Sequence, residues 1–69
     1  RGWLMDVFRC MEEIGSIEFT LSDMYRFEER LAILHPDNHN IRAKIRQQLQ
    51  MLRDRGLIRF VSRGVYRKC

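Results

Sequence analysis

The chain has 69 residues, 13 Lys and Arg against 9 Asp and Glu, a formal net charge of +4 and a pI of 9.7. That length fits one small domain and leaves little room for a deep catalytic pocket beside a core. With 45% hydrophobic residues the chain is expected to fold, and no apolar run approaches the length needed to span a membrane.

Trp3, Leu4, Val7, Phe8, Met11 and Ile14 recur at helical spacing and predict an amphipathic first helix over residues 3–14, ended by Gly15. Ile17-Glu18-Phe19 alternates and predicts a brief strand. Thr20 follows as an N-cap, with Asp23 at the third helical position and Phe19 and Met24 placed as a hydrophobic staple. The second helix is expected to run to about Leu34 and to bury Leu21, Met24, Phe27, Leu31 and Leu34, closing before Pro36.

A polar turn, His35 to Asn40, leads to the third helix, for which Asn38 is the favoured cap over Asn40. Ile41, Ile45, Leu49 and Leu52 form its apolar stripe. Ala43, Gln47, Gln50 and Asp54 lie opposite, with Arg46 and Met51 at the edges. Gly56 ends that helix. The period then changes to two: Leu57 to Val61 predicts a strand with Ile58 and Phe60 on one face, Ser62-Arg63-Gly64 a turn, and Val65 to Lys68 a second strand. The expected fold is α+β, mostly helical: a winged helix-turn-helix of three helices, a short strand before helix two and a C-terminal hairpin wing.

The charge is unevenly distributed. Residues 1–34 carry 4 basic and 7 acidic side chains, net −3, and residues 35–69 carry 9 basic and 2 acidic, net +7. Such an excess on one side is the electrostatic footprint of a phosphate-binding surface. Residues 38–53 contain no Asp or Glu, unlike an ordinary solvated helix face, which mixes signs. Arg or Lys can bond guanine O6 and N7, and an Asn or Gln amide can bond adenine N6 and N7. Asn40, Ala43, Arg46, Gln47 and Gln50 are therefore the expected base contacts, with Arg46 and Gln47 foremost. His39, Arg42, Lys44, Arg53, Arg63, Arg67 and Lys68 are the expected backbone contacts, Arg63 at the wing tip. Trp3 is read as core more than reader, and Tyr66 as packing on the third helix more than stacking on a base.

Catalysis and metal binding find little support. Cys10 and Cys69 make no C-x-x-C pair, and Cys10 falls within the first helix, where a buried or half-buried thiol is the usual state. His35 and His39 have half of a zinc-finger spacing, but the cysteine half is missing and Pro36 interrupts. No catalytic set or Gly-rich phosphate loop is present, so no cofactor and no metal are expected.

Glu18-Phe19-Thr20-Leu21, Asp23 to Glu28, Ile45 to Gln50, Leu52-Arg53-Asp54, Arg63-Gly64 and Tyr66-Arg67-Lys68 closely resemble the C-terminal domain of DpnI-type restriction endonucleases, the Dam-replacing family. The opening Arg1-Gly2-Trp3 resembles that domain's start, so the likeness covers the whole chain. The resemblance implies a DNA reader for GATC methylated at adenine N6, following an N-terminal PD-(D/E)XK nuclease domain in a longer parent chain of the prokaryotic cytoplasm. This stretch would then be a non-catalytic, monomeric reading domain whose partners are methylated double-stranded GATC and the nuclease. A methyl reader also needs an apolar surface, for which Ala43 and Trp3 are the candidates. The sequence departs from the family pattern at His35-Pro36-Asp37, Asn40 and Arg42-Ala43, around the start of the reading helix. The residues alone leave two rivals open: a winged helix that docks onto protein, and a sequence-specific transcription repressor.

Overall fold

The computed structural model describes residues 2–69; Arg1, part of the charge count and of the opening motif, lies outside the described residues. In chain order the elements are α1 (Trp3–Glu13), β1 (Glu18–Thr20), α2 (Leu21–Tyr25), α3 (Glu28–Leu34), α4 (Ile41–Asp54), β2 (Ile58–Ser62) and β3 (Val65–Lys68). The three strands form one antiparallel sheet in the order β1-β3-β2. The winged-helix architecture is present, with one added helix.

That addition comes from a break in the expected second helix. The amides of Arg26 and Phe27 bond the carbonyls of Asp23 and Met24, a tighter i→i+3 pattern than an α-helix. Phe27 sits at φ −93°, ψ 8°, and its carbonyl starts α3 by accepting from Leu31 N–H. The chain changes direction there without glycine or proline. Of the five side chains expected in the core along this stretch, Met24 and Leu31 are fully buried and Leu21 and Phe27 are half-buried. Leu34, expected in the core, is instead exposed at the last position of α3, next to the C-cap His35.

The ends of the elements follow from short polar contacts. Thr20 closes β1 and caps α2: its Oγ1 accepts from Asp23 N–H at 3.1 Å, and Asp23 Oδ2 accepts from Thr20 N–H at 2.9 Å. That backbone donor holds the Asp23 carboxyl below the usual carboxylate range. Asn40, not Asn38, caps α4, its Oδ1 accepting from Ala43 N–H at 3.4 Å. Asn38 Oδ1 instead accepts from Asn40 N–H at 2.8 Å, an Asx turn that aims the chain into the helix. At the far end of α4, Gly56 at φ 79° donates to Arg53 O and Leu57 N–H donates to Leu52 O. Those two bonds make a Schellman cap. The first helix stops at Glu13, and Gly15 is not among the residues with positive φ.

The core is assembled around α4. Ile41, Ile45, Leu49 and Leu52 are all buried, as the stripe predicts, against Val7, Cys10 and Met11 of α1 and Met24 and Leu31. Phe19 of β1, 1% exposed, lies opposite Tyr66 of β3, and their rings stack at 5.3 Å. Phe60 of β2 meets the other side of Tyr66 edge-on at 5.0 Å and is 41% exposed, so Ile58 and Phe60 share a strand face but not the same burial. This aromatic row attaches the hairpin to the helical body. Burial pushes the Cys10 thiol up from its ordinary value.

The uneven charge also serves the fold. Glu28 of α3 accepts from Arg42 Nε at 2.9 Å, and Glu18 of β1 accepts from Arg67 Nη1 at 3.2 Å, so the acidic half of the chain is tied to the basic half. Glu13 and Arg30 join α1 to α3 through two parallel hydrogen bonds. The buried Asp6 carboxylate bonds His35 Nε2 at 2.7 Å, and the His35 ring stacks on Trp3 at 4.0 Å. This set anchors the loop that delivers α4.

Candidate nucleic-acid interface

With the apolar stripe of α4 buried, the opposite side is left to solvent. Gln47, Gln50 and Asp54 are exposed along it, and Ala43 is half-buried in its first turn. Two walls flank this face. On one side Lys44 lies over the Trp3 ring, Nζ 5.9 Å from its centroid. On the other side Arg42 lies over the Tyr25 ring at 4.6 Å, and Arg46 Nη1 donates to Tyr25 Oη at 2.7 Å. Farther along, Arg53 lies over the Phe60 ring at 4.6 Å and pairs with Asp54. Three of the expected contact residues thus rest on aromatic rings, which fixes a planar guanidinium or an ammonium before any ligand arrives.

The hairpin stands beside this face. Arg63 is exposed at the tip of a two-residue loop, where Gly64 takes φ 71°. A bulge between Phe60 and Ser62 leaves Val61 exposed next to the tip.

The expected site residues therefore fall into three groups. Ala43, Gln47 and Gln50 share the outward face of α4, with Arg42, Lys44, Arg46 and Arg53 along its flanks and Arg63 on the wing. His39 and Asn40 are exposed just before the helix, and Asn40 is already engaged by its capping role. Arg67 and Lys68 are turned to structural use: Arg67 pairs with Glu18, and Lys68 Nζ donates to Ile14 O at the end of α1. Trp3, half-buried between His35 and Lys44, borders a hollow of 340 Å³ lined also by Pro36 and Asn38.

Tyr25 is the residue that sequence reasoning missed. It holds two arginines of α4 at once, and its position in α2 carries no periodic signal to reveal that. Tyr66 lies close to the same cluster: burial and then the neighbouring Tyr25 push its phenol up, while Arg46 opposes the shift. Among the described residues no group of three or more His, Cys, Asp or Glu is arranged to hold a metal ion. No described helix is long and apolar enough to cross a membrane.

What this arrangement can do chemically is donate hydrogen bonds. Gln47 and Gln50 offer amides, and the flanking side chains offer guanidinium and ammonium groups along a helix whose first thirteen positions hold no carboxylate. The family model of the Dam-replacing HTH domain matches the chain over residues 1–68.

Proposed function

The chain belongs to the Dam-replacing HTH family, and from that premise we propose that it reads double-stranded GATC methylated at adenine N6, as the recognition domain of a type II methyl-directed restriction endonuclease. A helix-turn-helix domain points to DNA as its partner and is not itself a catalytic domain. The observation that carries the finer reading is the amide-bearing outward face of α4, free of carboxylates until Asp54 at its last position, set beside the wing.

In this reading α4 enters the major groove. Gln47 and Gln50 meet base edges, Arg46 reaches a guanine from the edge of the face, and Asn40 contributes the amide hydrogens its cap leaves over. Arg42, Lys44, Arg53 and Arg63 take phosphates, with His39 at the helix entrance, and Arg67 and Lys68 hold β3 in place. The domain works as a monomer without cofactor, joined to a nuclease domain in a parent chain of the prokaryotic cytoplasm.

N6-methylation puts an apolar group on the major-groove edge of adenine and leaves a single N6 hydrogen, which base pairing uses. Ala43 supplies a small apolar surface for that methyl, and Trp3 a wall next to Lys44. Burying one methyl contributes about 0.8 kcal/mol, roughly four-fold in affinity. The adenines of GATC lie on adjacent base pairs, so two methyls give about 1.6 kcal/mol, roughly fifteen-fold. Full methylation is expected to bind tighter than hemimethylation, and hemimethylation tighter than none, in a salt-matched anisotropy titration of three otherwise identical duplexes. Equal affinities would remove the methyl-reading claim and leave DNA binding intact.

Replacement of Gln47 by Ala is expected to cost about 1–3 kcal/mol at the cognate duplex and to relax sequence preference. A competition assay against single-base variants of GATC checks this: a uniform loss over all sequences would reassign Gln47 to the backbone. One observation favours the protein-docking rival. An apolar hollow of 380 Å³, lined by Leu4, Met5, Phe8, Leu52 and Leu57, opens at the other end of α4. Docking there predicts weak DNA binding without site preference.

A further inference from the structure

Where α2 crosses the first turn of α4, Ser22, Tyr25, Arg26 and Arg42 line a hollow of 260 Å³. Two guanidinium groups and two hydroxyls form its walls, and no carboxylate does. The acidic side chains of the neighbouring segments, Asp23 and Glu28, are both engaged. Asp23 accepts from Thr20 N–H, and Glu28 accepts from Arg42 Nε, which leaves both terminal nitrogens of that guanidinium available. The Tyr25 ring supports Arg42 from below, and the Tyr25 hydroxyl is held by Arg46. Arg26, the C-cap of α2, and Ser22 are both exposed and complete the cluster from the other element.

The geometry points to a seat for one backbone phosphodiester of duplex DNA, with Arg26 and Arg42 as its charged donors and Ser22 as its neutral one. Bidentate guanidinium donors match phosphate oxygens, and two of them converging on a concave site neutralise a single negative charge more fully than scattered surface lysines do. The seat lies at the α2 side of the reading face, so an occupied phosphate there sets the angle at which α4 enters the groove. Ser22, Tyr25 and Arg26 thus join the interface from outside α4 and the wing. This inference rests on the DNA-binding reading above.

The test is a duplex titration of the 69-residue chain over a range of salt, using Arg26→Gln, Arg26→Lys and Ser22→Ala, with thermal melts to check folding. Loss of one phosphate contact should flatten the log–log salt slope by about 0.9, so Arg26→Gln binds about eight-fold weaker near 0.1 M salt and converges on the parent near 1 M. Arg26→Lys should recover most of the slope, and Ser22→Ala should weaken binding with the slope kept. A duplex series with single neutral methylphosphonates locates the contact: one position should weaken the parent chain and have no further effect on Arg26→Gln. A parent chain that binds duplex while Arg26→Gln keeps its full slope overturns the seat alone. A parent chain that binds no duplex overturns the DNA reading and the seat with it. Loss of inorganic-phosphate binding in Arg26→Gln with an unchanged duplex slope would make the hollow a free-phosphate site and also overturn the inference.

Discussion

A rise in salt from about 50 to about 200 mM is expected to weaken duplex binding by roughly 150-fold, the consequence of about four neutralised phosphates and a log–log slope near −3.6. The cations are Arg26 and Arg42, which share one phosphate, and Lys44, Arg53 and Arg63, which take one each. Two of them begin the encounter in ion pairs, Arg42 with Glu28 and Arg53 with Asp54. Both arginine side chains are more than 40% exposed, so those pairs are screened and weak, of the order of 0–1 kcal/mol. A phosphate therefore outcompetes or shares them at little cost. Had the intramolecular pairs won, only about three cations would count, the slope would be near −2.7 and the same salt step would cost roughly 40-fold. A titration at four or five salt concentrations separates these values. The result measures how far the arginines of α4 are free to leave the fold for the DNA, independently of which sequence is read.

That competition explains why the interface was only partly legible in the sequence. The stripe Ile41, Ile45, Leu49 and Leu52 could be read because a buried helix face repeats every 3.6 residues, and all four are buried. The outward set Ala43, Gln47 and Gln50 followed by subtraction. Charge, by contrast, carries no periodic label. Arg67 and Lys68 look like Arg63 in sequence, yet one pairs with Glu18 and another bonds Ile14 O. Both partners lie far along the chain and become neighbours only when β3 enters the sheet between β1 and β2. The role of Tyr25 is hidden for the same reason, since it depends on where α4 crosses α2.

The boundaries show the other limit. Asn38 and Asn40 have the same side chain, and both accept a backbone N–H; only the register of α4 decides which one is the helix cap and which the preceding turn. The break between α2 and α3 has no glycine or proline to announce it. Its cause is tertiary: Phe27 packs against the core while the chain turns, and local propensity does not oppose the change strongly enough to show. The Dam-replacing resemblance reached the family without resolving either detail.

Replacement of Phe19 by Ala is expected to remove about 3–5 kcal/mol of stability, the usual cost of truncating a buried aromatic. A 69-residue domain at about 0.05–0.15 kcal/mol per residue holds only roughly 3.5–10 kcal/mol in total. The loss is therefore a large fraction of what the fold has, and the melting midpoint should fall by at least about 12 °C. The effect is large because Phe19 does two things. Its ring fills the core at 1% exposure, and it stacks on Tyr66, the residue through which β1 and β2 both hold the central strand β3. Without it the hairpin loses its inner aromatic partner, and each molecule that unfolds gives up Arg63 with the hairpin. Phe19→Leu keeps most of the apolar volume and should lose clearly less. DNA affinity of the Ala variant should fall in proportion to the folded fraction, while the molecules still folded keep their salt slope and methylation preference. Saturating duplex at about 100 times Kd should restore roughly 2.7 kcal/mol and shift the melt back upward. A near-parental melt for Phe19→Ala would mean that the sheet is held to the helices by something other than this aromatic row.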